Sequence, residues 1–213
     1  MVNYKLATDS ASQILLQQSH INTFPINPKD ICIPNQTNIF CTFQEYSEFT
    51  KTSVKDLTYN YKFKDGYTIK NIRPNTNIIL YNDSITSSGR INWTNSHELG
   101  HIVLNHTKHS LDNEKEANAF ASQLLIPKCI LIALIRENVK VTPSYLIDNF
   151  GLSEEAANNA ISSLENLLKR NHKDDIYDEA LLIKFSSFLA SKTSNFLNSY
   201  LDDRESERNM WKY

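Results

Sequence analysis

The sequence has few cysteines, few glycines and no long apolar run. Its 213 residues include three cysteines, Cys32, Cys41 and Cys129, with no Cys-x-x-Cys pair. A sparse, odd set of cysteines argues against a disulfide framework and indicates a reducing compartment. The longest apolar run, Cys129–Ile135, is far shorter than the roughly 20 residues that a bilayer requires. Because Met1–Ser12 also lack the apolar core of a signal peptide, we expect a cytoplasmic protein with no membrane partner.

The chain also lacks an excess of basic residues. It carries 22 Lys and Arg against 24 Asp and Glu, for a net charge of −2. A large electrostatic footprint for nucleic acid is therefore missing, and we expect no direct nucleic-acid partner. Hydrophobic residues make up 40% of the chain, which is enough for a packed core.

One motif carries chemistry, and it is His97-Glu98-Leu99-Gly100-His101. On an α-helix, residues four apart lie above one another, so two imidazoles at this spacing can hold one Zn²⁺. Glu98 would lie within reach of a water molecule at the metal and could act as general base. We expect Thr94 or Asn95 to cap this helix, which ends near Asn105.

A catalytic zinc ion requires a third protein ligand, and Glu114 and Glu116 are the candidates in the next helix. They lie about 200° apart on that helix, so only one can face the metal. Glu114 shares the side of the apolar stripe and is favoured, although Glu116, or neither carboxylate, remains an alternative. Asn118 would lie beneath Glu114 and accept the free ring N–H of a ligating histidine. Since the sequence pattern binds several divalent metals, Mn²⁺ and Fe²⁺ also remain open.

The surrounding pattern predicts an α+β fold. A helix covers residues 4–18, and Asp65-Gly66 signals a hairpin turn. Tyr67–Ile72 and Asn77–Tyr81 predict a small antiparallel sheet packed on the helix pair. We divide the chain into a motif-bearing domain, 1–127, and a helical C-terminal region, 128–213. That region contains a helix-turn-helix-like pair over 143–170 and an amphipathic helix over 177–201.

Two separated motifs resemble the ImmA/IrrE family of zinc metallopeptidases. They are the His97–His101 motif with His106 after it, and the segment from Glu114 to Pro127. The resemblance covers residues 40–130 and implies a thermolysin-like core. By position, it implies His97, His101 and Glu114 as zinc ligands and Glu98 as the catalytic residue. Only twelve residues separate His101 from Glu114, so the first helix must end promptly.

The resemblance implies a zinc endopeptidase that cleaves a regulatory protein, namely a helix-turn-helix repressor of a mobile element or a stress operon. We expect the substrate to lie extended along Asn77–Tyr81, with Tyr81, His106 or His109 near the developing oxyanion. One alternative is a non-catalytic zinc-binding regulator that acts by binding a protein partner. A second is DNA binding through residues 143–170, but Glu154 and Glu155 open the second helix and would repel phosphates.

Overall fold

The computed structural model describes residues 1–60, 65–169 and 175–193, and it confirms the α+β class. A three-stranded sheet packs beside a largely helical body. The strands are β1 (Thr37–Thr42), β2 (Gly66–Arg73) and β3 (Thr76–Tyr81). The helices of the described residues are α1 (Tyr4–Gln17), α2 (Phe43–Thr50), α3 (Val54–Leu57), α4 (Ser88–Val103), α5 (Leu111–Leu125), α6 (Lys128–Arg136), α7 (Pro143–Phe150), α8 (Glu154–Leu168), α9 (Asp178–Lys184) and α10 (Ser186–Lys192).

The sheet is mixed rather than purely antiparallel. Strands β2 and β3 form the predicted antiparallel hairpin, and its turn includes Asn75 in the left-handed region at φ 58°. Strand β1 lies parallel to β3 on its other side, so the order is β1-β3-β2. The segment that contains α2 and α3 separates β1 from the hairpin, and a connection of this length allows parallel pairing. The expected substrate position along Asn77–Tyr81 is therefore wrong, because β3 is paired on both sides.

The Asp65-Gly66 pair does not form a hairpin turn, since Gly66 is the first residue of β2 and pairs with Tyr81. These residues instead fasten the sheet to α4. The Arg90 guanidinium on α4 donates to both carboxylate oxygens of Asp65, at 2.9 and 2.8 Å. A Cβ on Gly66 would lie 2.6 Å from the Thr94 methyl group, so only glycine permits this approach. Strand β2 is thus held against the helix that carries the motif.

Helices α4 and α5 form the predicted close pair. A Cβ on Gly100 would lie 3.2 Å from both the Cα and the carbonyl oxygen of Ala117, so the helix backbones nearly touch. Helix α4 begins earlier than expected, because Ser87 is its N-cap and accepts the Arg90 N–H at 3.3 Å. Thr94 and Asn95 therefore do not cap the helix but lie buried within it. Helix α5 likewise starts at Leu111, after the cap Ser110.

The C-terminal helices pack onto this pair. Gly151 adopts the left-handed conformation at the end of α7, and the Ser153 hydroxyl accepts the Ala156 N–H. The turn between α7 and α8 packs on α4, where a Cβ on Gly89 would lie 2.4 Å from the Leu152 carbonyl carbon. A single hydrophobic cluster joins α5, α6 and the later helices, and the division at residue 127 stays a prediction.

The predicted helix over 177–201 is interrupted. It is divided at Phe185 into α9 and α10, and α10 ends at Lys192. Phe185 is fully buried and stacks on Phe24 at 4.4 Å between ring centroids, so the break turns an aromatic ring into the core. Residues 194–201 of the prediction lie outside the described residues. In the part of the chain that the structure describes, no single helix is long and apolar enough to cross a bilayer. Helices α5 and α6 reach that length and composition only together, and they are bent by 46° relative to each other.

Candidate metal centre

The structure brings His97, His101 and Glu114 together in one cluster. The Nε2 atoms of the two histidines lie 3.0 Å apart. The Glu114 carboxylate approaches them from α5, with 3.2 Å between Oε2 and Nε2 of His97 and 3.5 Å between Oε1 and Nε2 of His101. One potential ligand atom from each residue lies within 4.8 Å of the others, so the three can hold one metal ion.

Two of the three groups of this cluster already have the protonation state that suits a cation. Burial lowers the pKa of His101 to about 3, so its imidazole is neutral at pH 7. The hydrogen bond with His97 lowers the pKa of Glu114 to about 2, so its carboxylate is ionised. Neutral imidazole and ionised carboxylate are the forms that bind metal, so no proton must be removed from either group first.

Each histidine has a partner on its other ring nitrogen. Nδ1 of His97 lies 2.8 Å from Oδ1 of Asn118, which confirms the predicted contact. Nδ1 of His101 lies 2.9 Å from Nδ1 of His106, whose Nε2 lies 3.0 Å from Oε2 of Glu116. Both Nε2 atoms are thereby left to face Glu114.

His106 and Glu116 both lie closer to the cluster than helix geometry alone would place them. A regular helix would place His106 half a turn away from the metal face. Instead α4 ends at Val103, and Asn105 adopts φ 52°, which turns the chain back beside His101. Glu116 was expected to point outward, yet its side chain is 13% exposed against 40% for Glu114. Glu114 and Glu116 therefore both face α4, at different distances from the cluster.

Glu98 lies next to the cluster and is held by β2. The Thr68 hydroxyl donates to Oε2 of Glu98 at 2.8 Å, which leaves Oε1 as the other acceptor. Burial raises the pKa of this carboxyl group, as suits a group that must accept and release a proton. Lys70 is the next residue on the same face of β2. It donates to the carbonyl oxygens of His101 and His106, both at 2.6 Å, and so fixes the end of α4.

The sequence matches the model of the IrrE N-terminal-like domain, a peptidase family, over residues 46–162. That range is more than half of the chain. The chain belongs to this family. No curated protein matches it.

The IrrE N-terminal-like match confirms the family resemblance of the two motifs and extends it beyond Pro127 into α8. It supports a metallopeptidase-like domain. The individual roles of His97, Glu98, His101 and Glu114 stay predictions, now with a geometry that allows them.

The cluster lies in a cleft that is made of adjoining cavities. A volume of about 350 Å³ surrounds the three candidate ligands and is bordered by Tyr67 and Trp93. A second volume of about 360 Å³ shares Glu98, His101 and His109 with it and extends toward Asn105. A third, of about 640 Å³, shares Trp93 and Asn118 and extends between α5 and α8. Three adjoining cavities thus border the cluster and the side chains beside it.

Sequence reasoning missed several residues that shape the cleft. Of the three oxyanion candidates, His106 and His109 line the cleft, whereas the Tyr81 hydroxyl accepts a hydrogen bond from Nζ of Lys29 at 2.7 Å. Tyr67 lines the cleft in its place, and burial raises its pKa to about 12, which keeps the phenol protonated. Thr68 and Lys70 lie two residues apart on one face of β2, which is the ordinary spacing of a strand, so the sequence carries no signal that they belong to the site.

Proposed function

We propose that the protein is a zinc-dependent endopeptidase in which His97, His101 and Glu114 hold the metal ion. The observation that carries the proposal is the convergence of two imidazoles and one ionised carboxylate beside a buried glutamate. Two histidines and one glutamate form a familiar ligand set for catalytic zinc, with a position left for water. The structure fits this ion, because the second nitrogen of each imidazole is already engaged.

A zinc ion held there would supply Lewis acidity toward a water molecule and a peptide carbonyl oxygen. The chain's own contribution is proton transfer by Glu98. Its Oε1 accepts a proton from the attacking water, while the Thr68 hydroxyl retains Oε2. The peptide C–N bond then breaks, and Glu98 returns the proton to the leaving amine.

The form of the cleft supports an endopeptidase. Volumes extend from the cluster in two directions, so a polypeptide can pass the metal position and continue on both sides. Strand β2 forms an edge of the described sheet and carries Thr68 next to Glu98. An extended substrate can add to this edge by backbone hydrogen bonds, as in other β-augmented complexes.

The substrate that we propose is a regulatory protein in the cytoplasm, a helix-turn-helix repressor of a mobile element or a stress operon. The support for this choice is the resemblance to the ImmA/IrrE family. The cavities beside the cluster offer space for a polypeptide segment of such a regulator.

The test is cleavage of a purified repressor encoded beside the gene, monitored by electrophoresis and mass spectrometry. Glu98→Gln should retain zinc and reduce cleavage by about 10²–10⁴-fold, because it removes the general base. Glu114→Ala should lose zinc and cleavage together. Cleavage by Glu98→Gln at the wild-type rate would contradict the assignment. A wild-type protein that binds zinc and the repressor without cleaving it would support the non-catalytic regulator instead.

A further inference from the structure

We infer that His106 and Glu116 are positioning residues that fix which nitrogen of His101 carries its proton, so that Nε2 is available to the metal. This inference rests on the proposed metal site but concerns two residues outside the ligand set. They form a linear chain with His101, from Oε2 of Glu116 to Nε2 of His106, and from Nδ1 of His106 to Nδ1 of His101.

The direction of each hydrogen bond follows from the carboxylate. An ionised carboxylate only accepts, so Nε2 of His106 must carry the hydrogen that lies toward Glu116. The tautomer of a neutral imidazole that donates from Nε2 accepts at Nδ1, so in this tautomer Nδ1 of His106 accepts. Nδ1 of His101 must then donate, and its Nε2 has a lone pair directed at Glu114 and His97. A proton on Nδ1 of His106 would reverse this order and block ligation by His101.

The surroundings hold the chain in place. The side chain of His106 is 7% exposed and that of Glu116 is 13% exposed, so water competes little for these bonds. Oε1 of Glu116 accepts the backbone N–H of Asn3 at 2.6 Å, which leaves Oε2 for His106. Lys70 anchors the His106 carbonyl oxygen from β2. Three separate segments of the fold therefore converge on this one contact.

The hydrogen-bonded series of His101, His106 and Glu116 is not a second metal site. His106 uses its two nitrogens in opposite directions, one toward His101 and one toward Glu116. Its atoms thus connect the neighbouring groups in a line and do not converge on one point. The two candidate histidine ligands also differ in support: His97 rests on the neutral amide of Asn118, whereas His101 is linked to a carboxylate. A carboxylate in this position increases the basicity of a ligating imidazole.

The experiment measures zinc affinity by competition with a chromogenic chelator, which does not require activity. His106→Leu fills a similar volume but removes the acceptor, and we expect the Kd for zinc to rise by about 10–100-fold. His106→Asn places a carbonyl oxygen near the position of Nδ1 and should recover most of the affinity. Glu116→Gln keeps one acceptor oxygen where two are needed, so it should also weaken binding. His20→Gln is the control, because His20 is an exposed histidine whose Nε2 lies 3.1 Å from the carbonyl oxygen of Asp30.

Imidazole ¹⁵N spectra of the wild-type protein, with and without zinc, provide the second measurement. We expect a hydrogen on Nε2 of His106 in both samples and on Nδ1 of His101 in the zinc-loaded one. The inference is overturned if His106 carries its hydrogen on Nδ1, or if folded His106→Leu and Glu116→Gln both bind zinc as tightly as the wild type. Absence of zinc binding by the wild type would instead overturn the proposed function, while the metal-free spectrum still tests the chain.

Discussion

Gly100 lies where the backbones of α4 and α5 pack closely against each other. Replacing it with alanine is expected to disturb the metal site, because these two helices carry the candidate ligands. The new Cβ would lie 3.1 Å from Cδ1 of Phe120 and 3.2 Å from two backbone atoms of Ala117. Backbone atoms cannot rotate away as the end of a flexible side chain can. The helices must therefore separate by a few tenths of an ångström.

Two effects oppose each other in this variant. Alanine favours a helix over glycine by about 0.5–1 kcal/mol. Overpacking against a fixed backbone costs about 1–3 kcal/mol. We expect the second to dominate, with a net loss of about 0.5–2 kcal/mol and a Tm lowered by about 2–6 °C for a chain of this size. Zinc binding should suffer as well, because His97 and His101 lie on α4 while Glu114 lies on α5, and ligand distances tolerate only about ±0.2 Å.

Thermal unfolding by circular dichroism and zinc competition together test this reasoning. Gly100→Ala should bind zinc about tenfold more weakly, a change of about 1.4 kcal/mol. Ser162→Ala, on the exposed side of α8, is the control for a gain in helix propensity without a packing change. A Gly100→Ala protein more stable than the wild type, with unchanged zinc affinity, would refute the claim that the helix contact sets the ligand geometry.

Two further predictions concern separate features. Thr68→Val removes the hydroxyl that donates to Glu98. Because the buried carboxylate loses this partner, kcat/KM should fall by about tenfold while zinc affinity stays unchanged. Equal activity of the wild type and Thr68→Val would contradict the role of Thr68. With a thiol reagent at pH 8, exposed Cys32 should react first and Cys129 only after unfolding, since burial raises the pKa of Cys129 well above its ordinary value. Cys32→Ser should remove the fast phase of the reaction. Rapid reaction of all three thiols would contradict the described burial.

The sequence predicted most of the elements because their signals are local. The His-Glu-x-x-His spacing fixes one face of α4, and Gly151 with Ser153 marks the turn between α7 and α8. Strand pairing was less predictable. Whether residues 38–43 form a strand, and on which side of β3 they pair, depends on contacts with residues some 40 positions away. The break at Phe185 has the same cause, since it is the partner ring of Phe24 that draws Phe185 into the core.

The candidate site was predictable where helix geometry alone determines it. His97, His101 and the contact with Asn118 follow from positions on two helices that face each other. Thr68 and Lys70 were not predictable, because they approach α4 from a strand whose register the sequence does not specify. The Asp65–Arg90 ion pair belongs to the same class, since it depends on where β2 meets α4.

His106 shows how one backbone residue changed the interpretation of the site. On a continued helix it would lie away from the ligands, but Asn105 ends α4 in the left-handed conformation that asparagine tolerates. An asparagine directly after an apolar helical stripe is a recognised stop signal, so the sequence did contain the information. The same stop makes the short connector to α5 possible, and it sets His106 between His101 and Glu116. Glu114 and Glu116, two residues apart on α5, thus serve one site: the first carboxylate faces the metal position, and the second orients the imidazole of His106 next to His101.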